Sequence, residues 1–309
     1  MILGFDLGGT QIKAGLVDRA GRVIATRKEP TPTDIAGTRA TLEQLARSLT
    51  KESPEPVTGA GFASKGIIDP VTTRVIANPG PTVFLEGHTL ASLVADALPP
   101  NCAIAGDNDA RAALAGEVAW GAAKGRTDAL LFTLGTGVGG GVLAGGRIIR
   151  GAGGIAGHLG HVTVDPWGAY CICGSRGCIE TIFSARAIES AADEMIHRSV
   201  DTALRELPVR PPTCEQVFAV AQQGDAVARH IVDRAITALG AAIAGLVHAL
   251  DPEVIIIGGQ ISEAGDFLFA KLRDELAWRT RKFLRREIPI VPAQVKDGIV
   301  GAAALVESA

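Results

Sequence analysis

The sequence predicts an α/β fold made of two related halves, and three observations predict it. The chain opens with a β-β-β-α-β order, part of that pattern recurs from Asp128, and glycine-rich turns follow several buried apolar strands. At 309 residues, 47% of them apolar, the chain is long enough for two domains of ordinary size, each with its own core.

The elements follow in order. "ILGFDLGG" is a short apolar strand running into glycines, and "KAGLVD" and "GRVIATRKE" continue it as a strand, turn, strand meander. "GTRATLEQLARSLTKE" has apolar residues at helical spacing and stops before the proline-rich break from Ser53 to Val57. "VTGAGFAS" is a further buried strand. "AIAGDNDARAALAGE" begins as a strand, turns at "GDND" and continues as an alanine-rich helix. The stretch "DALLFTLGTGVGGGVLAGGRIIRG" repeats the strand, glycine turn, strand pattern, which suggests two halves facing a shared cleft. Later come "SARAIESAADEMIHRS" as a helix and "VFAVAQQGDAVARHIVDRAITALGAAIAGLVHAL" as one or two long apolar helices. "EVIIIGGQIS" is a buried strand ending in glycines, and "GIVGAAALVE" is a closing helix. A hinge is expected between Asp109 and Gly125. The expected domains are 1–109 and 110–297, with the last helix, 298–309, packing back on the first.

The formal net charge is −3 and no dense Lys/Arg run stands out, which argues against nucleic acid or a membrane surface as partner. The opening "MILGFDLGGT" does not have the layout of a signal peptide, and no uninterrupted apolar run is expected to cross a bilayer. Five cysteines, three of them crowded together, fit thiolate metal ligands in a reducing compartment better than a disulfide framework, so a cytoplasmic location is expected.

Glycines at the end of a buried strand let the backbone approach a ligand and aim N–H groups at one point, which suits a phosphate. "DLGGTQIK", with Gly8, Gly9 and Thr10, has this form; so does "LGTGVGGG", with Gly135, Thr136 and Gly137, and "IIIGGQIS", with Gly258 and Gly259. One such turn is weak evidence, because hairpins use glycine freely; three in one α/β chain are much harder to dismiss as structural hairpins. Asp6 precedes the first turn. A carboxylate there would repel phosphates unless a divalent cation lay between, so Asp6 reads as a ligand of Mg²⁺ on ATP or as a turn-capping residue. Lys13 is a counter-charge or a solvated strand residue. Asn108 and Asp109 stand near a helix N-terminus, where an Asp is often only a cap worth about 1 kcal/mol. A carboxylate at a cleft hinge is alternatively a general base, typically worth roughly 10²–10⁴ in rate. The sequence leaves both readings open.

"DLGGTQIK", "GDNDARAALAGE", "LGTGVGGGV", "GHLGHVTVDPWGAYCICGSRGCIE" and "DPEVIIIGG", in this order over nearly the whole chain, resemble the ROK (repressor, open reading frame, kinase) sugar kinases and repressors of the actin-like ATPase superfamily. The resemblance implies a duplicated ribonuclease H-like fold closing over ATP and a sugar. It implies Asp109 as general base, with Asn108, His161 and Glu180 holding the sugar. His161, Cys171, Cys173 and Cys178 have the H-x9-C-x-C-x4-C spacing that the family uses for a closed tetrahedral zinc site. Four protein ligands leave no open position, so the implied zinc is structural and orders the loop that carries His161 and Glu180. Homodimers are common in the family. Cys102 and Cys214 have no partners at metal spacing.

Three departures bear on the sugar. His158 stands where most ROK kinases have Glu in a Glu-x-Gly-His motif; imidazole donates a hydrogen bond that carboxylate cannot. Ser64 and Lys65 stand where many relatives have Pro-Gly. Bacterial N-acetylmannosamine kinases share both departures, so N-acetylmannosamine is favoured over glucose as acceptor. The usual sugar-contacting Asn of the first domain aligns with Pro81, and Asn78, three residues earlier, is a candidate substitute. The expected activity is transfer of the γ-phosphoryl group of ATP to the 6-hydroxyl of a hexose or N-acetylhexosamine. Glucokinase is the alternative, and a non-catalytic sugar-binding or regulatory protein is a second. ROK repressors carry a helix-turn-helix before the kinase-like body, whereas Asp6 lies almost at the start of this sequence.

Overall fold

The computed structural model describes residues 1–78 and 80–307. The chain divides into two compact units. One comprises Met1–Arg126, Ile148–Ala156 and Ala293–Ala309; the other comprises Thr127–Arg147 and Gly157–Pro292.

The first unit begins with an antiparallel meander of β1 (Ile2–Leu7), β2 (Gln11–Val17) and β3 (Val23–Pro30). Helix α1 (Ile35–Glu52) follows, its first turn capped by Asp34, which accepts a hydrogen bond from the Gly37 N–H. Then come β4 (Gly59–Ser64), a two-stranded hairpin of β5 (Ile67–Ile68) and β6 (Val75–Ala77), β7 (Ala103–Asn108) and helix α2 (Asp109–Trp120). The sheet order is β3-β2-β1-β4-β7, with β4 parallel to both β1 and β7. β1 and β4 are buried almost throughout, which is why they read as continuous apolar runs rather than as alternating ones. Phe5 and Phe62 stack across them at 4.9 Å.

The second unit repeats this plan. Strands β8 (Ala129–Leu134) and β9 (Val138–Ala144) form an antiparallel pair, and β10 (Arg147–Ile148) lies beyond β9. After α3 (Glu180–Phe183), α4 (Ala185–His197), α5 (Cys214–Gln222) and α6 (Ala226–Leu250), strand β11 (Val254–Gly258) lies parallel to β8. Helix α7 (Asp266–Thr280) leads to β12 (Ile290–Pro292), parallel to β11. The order β10-β9-β8-β11-β12 matches that of the first sheet, so the chain has the duplicated α/β architecture. The long apolar stretch forms two helices, α5 and α6, broken at Gly224, which has φ +101°.

The last helix, α8 (Gly298–Glu307), lies on β1 and β4 in the first unit. A Cβ on Gly4 would stand 2.1 Å from the Ile299 carbonyl oxygen, and one on Gly61 1.8 Å from that of Ala302. Only glycine lets the helix backbone come this close to the strands. Helix α2, expected at the start of the second domain, groups with the first unit, where it packs against α8.

Two features depart from the reading of composition. Arg279, Arg281, Lys282, Arg285 and Arg286 make a concentrated cationic stretch after all. Several of its members are engaged locally: Arg279 pairs with Glu275 at 2.9 Å, Arg286 with Asp251 at 2.6 Å, and Arg279 and Arg281 both lie over the Trp278 ring. Helix α6 is long and apolar enough to cross a bilayer by length and composition. It is a core helix here, with Ile231, Ala235, Ile236, Leu239, Ala242 and Ile243 buried among the apolar side chains of its unit.

Candidate active site

The chemistry of the first unit gathers at the C-terminal ends of its parallel strands. Leu7 of β1, Ser64 of β4 and Asn108 of β7 are in register, so the first glycine turn, the Ser64–Lys65 segment and the start of α2 leave the sheet at one edge. The Gly8 N–H donates to Gln11 O at 3.0 Å, closing a tight turn with Gly9 and Thr10 at its tip. A Cβ on Gly8 would lie 2.7 Å from that same oxygen.

Asp6 stands just before this turn. Burial pushes its carboxyl up to about 6; Lys13 opposes the shift, Asp109 and Asp297 add to it, and Lys65 opposes it more weakly. Lys13 is Asp6's cross-strand partner on β2, with Nζ 3.9 Å from Oδ2, so it acts as a distant counter-charge. Asp6 also lies against the start of α8, where a Cβ on Gly298 would come within 2.5 Å of Oδ2. A half-buried carboxylate facing two others beside a glycine turn is a site that a divalent cation relieves, and the donor set fits Mg²⁺ carried by a nucleotide.

Asn108, not Asp109, caps α2. Its Oδ1 accepts from the Ala110 N–H at 3.0 Å and the Arg111 N–H at 3.4 Å, and its Nδ2 donates to Gly66 O at 3.0 Å. Asp109 is the first helical residue, half-buried, with Oδ1 accepting from the Ala110 N–H at 2.9 Å. The residue one step earlier therefore meets the capping requirement. Gly66 (φ +88°) links this junction to Asn78: a Cβ there would stand 2.9 Å from the Asn78 Cα. Asn78 is fully buried; its Nδ2 donates to Thr82 O and Oγ1 at 3.1 and 3.0 Å, while its Oδ1 has no hydrogen-bond partner among the described residues. The Ser64 Oγ is likewise buried without a partner among the described residues.

In the second unit, Leu134 of β8 leads into Gly135, Thr136 and Gly137, and Gly258 ends the adjacent parallel strand β11. The two turns touch. Gly259 has φ +84°, and a Cβ on it would be 2.3 Å from Leu134 O. Gly135 O also accepts the Ala185 N–H at the start of α4. Glu180, at the head of α3, accepts the Val138 N–H at 2.9 Å through Oε2, and a Cβ on Gly137 would lie 2.6 Å from that oxygen.

His158 and His161 flank a short 3₁₀ turn packed on β9, their ring planes 10° apart and centroids 6.4 Å apart. The His161 Nδ1 is 3.5 Å from the Cys171 Sγ, the Cys173 and Cys178 Sγ atoms are 3.6 Å apart, and all four ligand atoms lie within 4.8 Å of one another. A tetrahedron with Zn–S near 2.3 Å and Zn–N near 2.05 Å has S–S edges of about 3.8 Å and S–N edges of about 3.6 Å, so the arrangement fits zinc. Burial raises the Cys171 thiol and pushes Cys178 up to about 12, while the Ser175 N–H lowers Cys173. The buried thiols would keep their protons without a cation to replace them. The loop is held by its turns: a Cβ on Gly177 (φ +65°) would be 1.5 Å from Asp165 O, and Ile179 N–H donates to Val162 O.

Within each unit the expected residues fall together: Asp6, Gly8, Gly9, Thr10, Lys13, Asn78, Asn108 and Asp109 in the first, the two further glycine turns, His158, His161, Glu180 and the cysteines in the second. Sequence reading missed Asp297, Asp107, Arg111 and Arg150. Asp297 precedes the final helix, where its Oδ1 accepts from Ile299 N–H. The signal for Arg111 was a lone cation four residues after Asp107 in an alanine-rich helix.

The ROK family model matches residues 2–309. The glucokinase of Thermotoga maritima is 34% identical over 311 residues, covering 99% of this chain and 97% of that protein. The N-acetylmannosamine kinase of Shigella flexneri is 31% identical over 319 residues, covering 99% and 98%. A solved ROK family glucokinase from Streptomyces griseus, in complex with glucose and AMPPNP, superposes with a TM-score of 0.81 at 30% identity, over 100% of this chain and 99% of that one.

Proposed function

Because the chain belongs to the ROK family, we infer that it is an ATP-dependent carbohydrate kinase, transferring the γ-phosphoryl group of ATP to the 6-hydroxyl of a hexose or N-acetylhexosamine. The observation that carries the reading is Asp109 at the head of α2 with its capping role taken by Asn108. That puts a carboxylate beside a helix N-terminus, where it would accept the proton of the attacking hydroxyl. In the first unit the turn at Gly8, Gly9 and Thr10 would take phosphate, Asp6 would hold Mg²⁺ and Lys13 would balance Asp6; in the second, the turns at Gly135, Thr136 and Gly137 and at Gly258 and Gly259 would take phosphate and adenosine. Bound Mg²⁺ offsets charge on the transferring phosphoryl group. The residues proposed to contact sugar are Asn78 and Asn108 in the first unit and His158, His161 and Glu180 in the second. Zinc held by His161, Cys171, Cys173 and Cys178 would be structural, since four protein ligands leave no open position.

His158 and the Ser64–Lys65 segment favour N-acetylmannosamine as acceptor, and the identity to glucokinases favours glucose. The imidazole of His158 can donate a hydrogen bond where a carboxylate offers acceptors alone, so the two sugars should differ in KM. The same reading places the enzyme in the cytoplasm, where the zinc thiolates stay reduced, as a homodimer acting on small molecules and requiring neither nucleic acid nor a membrane. ADP release with Mg-ATP over glucose, fructose, mannose, N-acetylglucosamine and N-acetylmannosamine tests the proposal. Preference for N-acetylmannosamine supports the role of His158, preference for glucose assigns the glucokinase activity, and no turnover with any sugar refutes the kinase.

A further inference from the structure

Arg111 is fully buried, and a buried guanidinium needs a carboxylate. Asp107, 1% exposed, supplies it: Oδ1 accepts from the Arg111 Nε at 2.7 Å and from the Asn108 N–H at 2.7 Å, and Oδ2 accepts from the Arg150 Nε at 2.7 Å. The second arm of Arg111 reaches into the segment that follows β10. Its Nη1 donates to both Gly154 O and Ala156 O at 2.9 Å. The Ala156 N–H returns to Arg150 O at 3.1 Å, so residues 150–156 form a closed loop tied to Asp107 and Arg111. Gly154 takes φ +74° and packs on Ile67. Nη2 is buried without a partner among the described residues. A guanidinium aimed at two carbonyls while one arm stays unsatisfied serves the position of those carbonyls.

We infer that Arg111 is a positioning residue for sugar recognition, tying residues 150–156 to the β7–α2 junction that presents Asn108 and Asp109. The inference rests on the sugar-kinase reading. Arg111 itself touches no reacting atom; it acts through the Gly154 and Ala156 carbonyls. Asp107 keeps Arg150 and the Asn108 N–H when Arg111 is replaced, so the carboxylate is not stranded.

The test compares wild type with Arg111→Met, Arg111→Lys and Arg150→Gln, measuring kcat, both KM values, zinc content and equilibrium sugar binding by calorimetry. Arg111→Met should weaken sugar binding and raise sugar KM about tenfold or more, with KM for Mg-ATP within about twofold and zinc retained. Arg111→Lys, which keeps one arm's worth of donors, should fall between. Sugar affinity unchanged within about twofold, or equal rises in both KM values, overturns the inference. Should Arg111→Met fail to fold, Arg150→Gln decides, because Arg150 is 31% exposed: a sugar KM about threefold higher at unchanged KM for Mg-ATP is expected, and no change overturns it. Wild-type enzyme inactive on every sugar would refute the kinase reading instead.

Discussion

Glu180 accepts the backbone N–H of Val138 at 2.9 Å, and its Oε2 lies where a side chain on Gly137 would begin. A residue proposed to hold sugar is thus buttressed by the strand that leaves a proposed phosphate turn. Gly137→Ala should push the Glu180 carboxylate aside. The displaced atom is the end of a flexible side chain, so the cost in stability should stay within about 1 kcal/mol. Steady-state kinetics with a thermal melt should show sugar KM raised about tenfold at a nearly unchanged midpoint; a lowered midpoint with unchanged KM would show that the contact is only structural.

Zinc should be present at one atom per chain, and Cys178→Ser should lose it. Because Ile179 and Glu180 follow Cys178 directly, sugar affinity should fall about tenfold or more in that variant while nucleotide affinity changes little. Metal analysis with separate sugar and nucleotide titrations checks this. Full sugar affinity in metal-free protein would remove the loop from the recognition account.

Asp6 gives a dependence on pH whose sign can be worked out. Its carboxyl is raised from 3.8 to about 6, chiefly by burial, so the folded state holds the proton more tightly than the unfolded state. Its contribution to stability is fullest below 3.8 and is lost as pH rises through about 6, above which the ionised group opposes folding. Asp6→Asn should therefore melt higher than wild type at about pH 7.5, with the difference vanishing near pH 4, while losing about 10²-fold in turnover. Equal melting points across that range would mean that Asp6 carries no such strain.

The strand meanders and glycine turns were legible because both depend on local sequence: apolar runs for buried strands, and glycine where a Cβ would collide, as at Gly259. Cysteine spacing likewise foretold the cluster around His161. The cap on α2 was not legible, because Asn108 and Asp109 both suit an N-cap and only the backbone chooses between them. Asp107 and Arg111 were missed because their partners, Gly154 and Ala156, contribute only carbonyls from more than forty residues away. Helix α7 escaped notice because its apolar residues and charges share no clear stripe, and the cationic stretch after it was hidden by a net charge near zero.

Replacing Asp109 by Asn preserves size and hydrogen bonding at the head of α2 while removing the only group proposed to take the hydroxyl proton. The decisive measurement is sugar-dependent ADP release by wild type and Asp109→Asn at saturating Mg-ATP. A general base at Asp109 requires kcat to fall about 10²-fold or more, with sugar binding and melting point preserved. Turnover within a few-fold of wild type would contradict it.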